Sequence, residues 1–503
     1  MTAAAVESLR PTLVPRGTLQ QTLVTGACVG TAAAAAQPVA RVGLPPWVMP
    51  AALGVGAWRA SVHVKAQRGS YPAWEPRPQD TARAVAAGAV AGAVLGNLPR
   101  LFVKASVLAG KGIAARRGGN PTGWGAAVGL GTVAGVAAVG AVGAKVGLSK
   151  LRAVGNRADP ALVEPPTSRF VSGGPASEID YSTLARDGRR FVSLRTPADE
   201  ISTLDGQAME PIRVYVGLHS AATVEQRVDL AMEELERLGG FERSTLLIMS
   251  PAGSGYADYV AAEAIECMTR GDVASVVVQY GVLPSMLSLS RVPLGAQTVR
   301  ALLDRIAQRA TGRVIMYGES LGARVAQEAL EMEPALVHED GSVDGLHALI
   351  SVGTPGGPSL RNKMLDNPNT VHLDRWQQLT GHEQAQLWFI DHDADPVARW
   401  DGQLAYRYPY WLHRPRGRNV PDDMSWLPVL TWWQVIFDLA FAAQQQSGVF
   451  HSIGHDYRAD LTAILAAVLD KKADVEAVEK LLAVREVARD KLTSLRLPAV
   501  STS

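Results

Sequence analysis

The order of elements along the chain predicts an α/β protein: a mainly parallel sheet with helices on both faces, preceded by an α-helical transmembrane domain. Three observations carry this. The first 150 residues are rich in Ala, Gly and Val, with charges confined to a few clusters. From residue 211 a different pattern begins, in which short apolar runs alternate with helix-length segments. Within that alternation Gly318-Glu319-Ser320-Leu321-Gly322 sets a serine between two glycines, where an apolar run turns into a helical pattern. A chain of 503 residues has room for two or three domains, and 47% hydrophobic residues are ample for a large core.

In the first 150 residues, no charge occurs between Arg16 and Arg41 for 24 residues, nor between Arg117 and Lys145 for 27. Each stretch is long enough for a helix to cross a hydrocarbon core of about 30 Å. Residues 42–58, 17 long with Pro45, Pro46 and Pro50, and residues 84–99, 16 long before Arg100, are shorter, and either could cross, tilt or re-enter. About four spans are therefore expected over 1–150, and the small-residue spacing from Gly125 to Gly143 suits close helix packing in a membrane. The competing reading is a set of soluble, Ala-rich buried helices. No cleavable signal is expected, because no basic segment leads into a short apolar core with a cleavage site. With four spans, the basic stretch Arg59 to Arg83 and the segment after Lys145 share one side. The expectation is a multi-pass protein of the cell membrane with its catalytic domain cytoplasmic, against which stand Lys111, Arg116 and Arg117 in the opposite loop.

Residues 151–210 are polar, with Pro165-Pro166 and Gly173-Gly174-Pro175, and read as a linker or arm. Six apolar runs follow, Arg213–Leu218, Thr245–Met249, Ser275–Tyr280, Arg313–Tyr317, Ala348–Val352 and Leu387–Ile390, most of them separated by helical segments. They define a catalytic domain over 211–470, with a cap insertion at about 358–433. Residues 471–503 read as a C-terminal helix and tail whose charges form a solvated face. The net charge of +1 gives no electrostatic footprint for nucleic acid. Cys28 and Cys267 lie too far apart in sequence and context to suggest a disulfide framework or a thiolate metal site.

The serine motif is a nucleophile elbow with Ser320 at its tip; Gly318 and Gly322 are required because the sharp strand-to-helix turn leaves no room for a Cβ on either side. A serine hydroxyl needs a histidine to take its proton and an acid to orient that histidine. Asp391-His392-Asp393-Ala394-Asp395-Pro396-Val397 follows the last apolar run, and Gly454-His455-Asp456-Tyr457 lies about sixty residues on, in a turn before a helical segment near Ala459. Asp391, Asp393 and Asp395 compete for the acid. A metal at His392 is the alternative use of these acids, but no second histidine stands at helical spacing, so neither metal nor cofactor is expected. The oxyanion of acyl transfer needs two N–H donors. Leu321 supplies one; Ala252 or Gly253, in Ser250-Pro251-Ala252-Gly253-Ser254-Gly255, supplies the other unless that stretch is an ordinary strand-to-helix turn.

These motifs belong to a wider set: Leu9-Arg10-Pro11-Thr12-Leu13-Val14-Pro15-Arg16, Gly188-Arg189-Arg190-Phe191-Val192, Val214-Tyr215-Val216-Gly217-Leu218 and Val278-Gln279-Tyr280. With the elbow, Asp395-Pro396-Val397 and Gly454-His455, the chain resembles bacterial, actinobacterial-type α/β-hydrolases that carry an N-terminal multi-span membrane domain. The likeness covers nearly the whole chain. It implies an α/β-hydrolase fold, the order serine, acid, histidine, and a triad of Ser320, an acid near Asp395, and His455. Asp395 is favoured, with Asp391 and Asp393 as fallbacks, because Asp-Pro-Val after a strand resembles the acid turn of many such enzymes. The resemblance supplies no substrate, and the membrane half departs from the family in its high Ala content and short middle spans.

Seven of the eleven tryptophans, Trp376, Trp388, Trp400, Trp411, Trp426, Trp432 and Trp433, lie between the nucleophile and the histidine. As a cap lining beside a bilayer they would suit a lipid or other apolar ester; as core residues they say nothing about substrate. Residues 282–292 are apolar enough for a lid, a membrane-facing loop or a buried connection. The expectation is a membrane-anchored serine esterase or lipase. An acyltransferase with the same triad and a non-catalytic membrane scaffold or transport accessory are the alternatives.

Overall fold

The computed structural model describes residues 1–36, 48–71, 77–379, 385–442, 445–471 and 473–494. Contacts divide the chain into two compact units: Met1–Lys150 with Arg399–Ala442, and Leu151–Ala398 with Ala443–Ser503.

The second unit is built on a seven-stranded parallel sheet: β1 (Ile212–Val216), β2 (Thr245–Ser250), β3 (Val273–Val278), β4 (Arg313–Glu319), β5 (Ala348–Val352), β6 (Thr370–Leu373) and β7 (Leu387–Ile390), in the order β1-β3-β2-β4-β5-β7-β6. Every residue of β1, β2, β3, β5 and β7 is buried, as near-continuous Val, Ile and Leu runs covered on both faces must be. The helices start where local chemistry says they should. Thr223 and Gln226 form a capping box ahead of Val224–Arg237, and Asp258 caps Tyr259–Met268 through the N–H groups of Val260 and Ala261. Pairing of Ser250 with Gly318, Glu319 with Val352, and Val352 with Ile390 brings the C-terminal ends of β2, β4, β5 and β7 level. The loops that leave them gather at one edge, where open parallel sheets place their sites.

Residues 151–210, expected as a linker or arm, contribute seven side chains to this unit's core. Val171, Ile179, Tyr181, Leu184, Phe191, Val192 and Ile201 are buried in it. The anchor is Arg213 of β1, fully buried and paired with Glu266 at 2.6 Å, with a second bond to the Phe191 carbonyl at 2.9 Å. The other Glu266 oxygen accepts the Thr196 N–H at 2.9 Å, so both carboxylate oxygens are satisfied. The C-terminal helix Val475–Ser494 is only partly solvated, since Arg485 and Arg489 reach the buried Glu263 at 3.2 and 2.9 Å.

The first unit contains the long helices Thr18–Ala35, Val48–Ser70 and Pro78–Arg117, and Pro121–Asn156 begins there. Gly26 and Gly30 of the first helix face Gly88, Gly92 and Gly96 of the third so closely that a Cβ on Gly92 would run into the Gly26 carbonyl and one on Gly96 into that of Gly30. The small residues of Pro78–Arg117 point inward, while Val90, Val94, Leu95, Leu98, Leu101 and Leu108 are exposed. Among the described residues this helix alone is long and apolar enough to cross a membrane. The expectation of four spans is thus reduced to one helix. The span expected at 84–99 does not stop at Arg100 but belongs to a continuous 40-residue helix. Thr18–Ala35 carries the polar residues Gln20, Gln21 and Thr25, and buries them. The stretches 17–40 and 42–58 run into 37–47, and 118–144 reaches the side chains of 134–144, which lie outside the described residues.

The cap expected at 358–433 is divided. Residues up to Ala398 stay with the sheet, whereas Arg399–Ala442 clusters with the N-terminal helices. There Asp438 accepts hydrogen bonds from Leu13 N–H (3.1 Å) and Gln20 Nε2 (3.2 Å) and faces Arg16 Nε at 3.6 Å. Trp433 Nε1 donates to Thr31 Oγ1 at 3.0 Å, and Trp432 packs edge-on against Trp433 and beside Trp400. Five of the seven tryptophans expected in the cap therefore belong to the first unit, and Trp388 is a core residue of β7.

Candidate active site

Ser320 sits between β4 and the helix Leu321–Glu331 with φ +54° and ψ −123°, a conformation that L residues adopt only under tertiary constraint. The constraint is visible on both sides. A Cβ on Gly318 would lie 2.5 Å from the Gly322 carbonyl oxygen, and one on Gly322 would run into the Ser250 carbonyl. The Ser320 N–H donates to Val352 O at 2.9 Å, pinning the turn to the end of β5. The next residue along β5, Gly353 at φ +56°, passes under the imidazole of His455; a Cβ there would stand 2.6 Å from His455 Cε1. Ser320 is thus tied to the end of β5, and the residue after that end lies against His455. Among the described residues no hydrogen bond joins Ser320 Oγ to His455.

His455 and Asp395 are bonded directly, Nδ1 to Oδ2 at 2.7 Å. The carboxylate is fully buried and accepts two further bonds, from Tyr457 Oη at 2.6 Å and from the Val397 N–H at 2.8 Å. Of the three competing acids only Asp395 lies on the histidine. Asp391 accepts the Thr354 N–H (2.7 Å) and pairs with Arg361 (3.0 Å), and the Asp393 N–H donates to Asp374 (2.8 Å). A backbone held at positive φ between two glycines, feeding a helix beside a buried aspartate–histidine pair, is the arrangement by which several hydrolase folds expose a serine.

A family model described as the alpha/beta-hydrolase family matches residues 212–481, more than half of the chain, and one described as the N-terminus of that family matches residues 9–195. The chain belongs to the α/β-hydrolase family. No curated protein and no solved structure matched it.

In this α/β-hydrolase the site's electrostatics follow from burial and pairing. Burial alone would lower the pKa of His455, but the Asp395 charge and hydrogen bond overcome it and push the value up to about 9. Burial would raise Asp395, yet the His455 charge and the three donated hydrogen bonds hold it below the ordinary carboxylate value. Each partner thus favours the charged form of the other.

Of the expected oxyanion donors, Leu321 opens the helix directly after Ser320, where the first N–H groups have no intrahelical acceptor. Ala252 is already committed, its N–H donating to Tyr256 O at 2.8 Å because the loop folds back on itself. The Gly253 N–H makes no hydrogen bond among the described residues, and the residue packs against Ser288, so closely that a Cβ would collide with it. Ser288 is buried within 282–292, which forms two short 3-10 turns with Met286, Leu287 and Leu289 exposed.

Two positioning residues escaped the sequence. Tyr457 bridges the acid and histidine loops: its hydroxyl donates to Asp395 and accepts the His392 N–H at 3.0 Å. His392, stacked on the Tyr457 ring with centroids 4.0 Å apart, puts Nδ1 2.8 Å from Gly454 O and Nε2 3.0 Å from Asp460 Oδ2. His392 thus braces the turn that carries His455. Among the described residues no group of three or more His, Cys, Asp or Glu is disposed to hold a metal ion. A histidine amid aspartates gives no local sign of this role; the only signal was Tyr457 and Asp460 following His455 in the sequence.

Proposed function

We propose that the protein is a membrane-associated serine hydrolase that cleaves a carboxylic ester through an acyl-enzyme on Ser320. The observation that carries this reading is the strained elbow at Ser320 beside the bonded pair His455–Asp395. Because Nδ1 is held by Asp395, Nε2 is the nitrogen left to take the serine proton, through a contact that tightens when substrate enters. Ser320 Oγ attacks the carbonyl carbon, and the oxyanion is met by the N–H groups of Leu321 and Gly253. The imidazolium returns its proton to the leaving alcohol, and a water deprotonated by the same nitrogen releases the acid.

A lipid or other apolar ester is the substrate class favoured by the exposed Met286, Leu287 and Leu289 beside the Gly253 loop. Attachment to a bilayer is supported by the outward-facing Val and Leu residues of Pro78–Arg117. The test is labelling of the full chain in detergent by a fluorophosphonate. Ser320-dependent labelling, absent in Ser320→Ala, is expected; labelling that persists in Ser320→Ala, or no labelling of a folded wild type, would overturn the reading. Hydrolysis rates of p-nitrophenyl esters, rising from short to long acyl chains, test the substrate class.

A further inference from the structure

In the first unit the segment from Tyr406 to Val420 holds four arginines, Arg407, Arg414, Arg416 and Arg418, and no Asp or Glu. Tyr406, Tyr408 and Tyr410 stand 72%, 46% and 66% exposed, and Arg407, His413 and Arg414 are exposed among them. The rings are held in place. Tyr408 stacks on His413 with centroids 5.4 Å apart, meets Trp426 edge-on at 5.9 Å and donates its hydroxyl to the Leu412 carbonyl at 2.9 Å. Arg399 donates to the Tyr410 hydroxyl at 2.9 Å and lies over its ring. Trp411 and Leu412 are buried, and Arg416 ties the turn by donating to the carbonyls of Leu412 and Met424. Among the described residues no carboxylate pairs with Arg407, Arg414 or Arg416. Arg407 meets Gln403 at 3.2 Å, and Arg414 reaches the backbone carbonyl of Asp422 at 3.5 Å, not its carboxylate.

The patch is tied to one end of the unit's helices. Ser425, just beyond it, accepts from Arg10; the Arg10 carbonyl accepts Gln67 Nε2 at 3.2 Å, and the Tyr71 hydroxyl donates to the Thr12 carbonyl at 2.6 Å. These contacts fall at the end of Val48–Ser70, from which seven residues lead into Pro78–Arg117, the helix with exposed Val and Leu. Trp58, Lys65 and Arg68 are exposed on Val48–Ser70 itself. A tyrosine has an apolar ring and a polar tip, which suits the boundary between hydrocarbon and headgroups, and a cation there meets lipid phosphate. A platform for nucleic acid would need ring faces open to bases, whereas Tyr408 and Tyr410 have theirs occupied by His413 and Arg399.

We propose that Tyr406–Val420 is a docking surface for the headgroups of anionic lipids in the bilayer: the tyrosines lie in the interface, and Arg407 and Arg414 meet the phosphates. The inference rests on the reading that the protein is attached to a membrane, and it adds which lipids it sits on.

The test offers the full chain, in a neutral detergent, equal amounts of phosphatidylglycerol and phosphatidylcholine and reads the retained lipid by native mass spectrometry. Wild type is expected to retain phosphatidylglycerol in preference. Arg407→Gln and Arg414→Gln are each expected to lower that preference about fivefold, the scale of one cation at an anionic surface. Arg414→Lys, which keeps the charge, should restore it, and Lys480→Gln, which removes an exposed charge from Val475–Ser494, should leave it unchanged. Equal retention of the two lipids by wild type, or a preference that survives both glutamine substitutions, overturns the proposal. So does binding of a single-stranded RNA oligonucleotide that outcompetes phosphatidylglycerol and is lost in the same variants. The attachment reading fails in a different measurement: a chain that leaves the membrane pellet without detergent overturns both, whereas one that stays in the pellet without any lipid preference overturns the anionic surface alone.

Discussion

In the proposed mechanism His455 sets the pH behaviour of the site. Its pKa is raised from 6.5 to about 9, so the neutral base is the minor form at pH 7. The rate of fluorophosphonate labelling should therefore climb with pH and level off above about 9. The same shift fixes a sign for stability. A histidine with a raised pKa contributes fully below its ordinary 6.5 and loses that contribution as the pH rises through about 9, whereas Asp395, held low, contributes above its ordinary 3.8 and loses it in acid. Both statements describe one pair. Replacing Asp395 with Asn should cut the labelling rate by about 10⁴ and move the pH limb below that of wild type. Tyr457→Phe removes a hydrogen bond to a charged group and should cost about 10- to 100-fold with the fold retained, as circular dichroism would show. Gly353→Ala, which sets a methyl against the imidazole at a positive φ, should abolish labelling. Much of this site was legible in the residues. Two glycines around a serine and an Asp-Pro-Val after a strand are local patterns with local causes. The brace made by His392 was not legible, because its partners, Gly454 and Asp460, are more than sixty residues away.

At the scale of elements, the sheet was legible wherever a strand is buried on both faces, since a run such as Val273–Val278 can do little else. β6 escaped because it is an edge strand of four residues, Thr-Val-His-Leu, whose alternation is too short to stand out. The segment 151–210 misled because its core residues, Phe191, Val192 and Ile201 among them, are scattered between arginines, prolines and glycines, and only packing under β1 joins them. In the first unit the small residues carry the structure. Gly92→Leu should part the helices Thr18–Ala35 and Pro78–Arg117, because its side chain has only the Gly26 backbone to enter. Limited proteolysis in detergent would register this as new cleavage in the N-terminal helices, with the hydrolase sheet spared.

Over the whole molecule, the helix Pro78–Arg117 stands out in turning Val and Leu side chains outward and its glycines inward. Exchanging Leu95, Leu101 and Leu108 together for Gln should move the protein from the membrane pellet toward the soluble fraction on centrifugation, while labelling of Ser320 continues in whichever fraction holds it.

The return of Arg399–Ala442 to the N-terminal helices also orders the protein's assembly in time. On the ribosome the first helices emerge early, yet the residue that their Arg16 and Gln20 reach for, Asp438, is made more than four hundred residues later. By then all seven strands and the serine have been synthesised, and His455 has not. The first unit can thus close before His455 exists, and Ser320 gains the histidine of the proposed triad only as the last part of the chain is delivered.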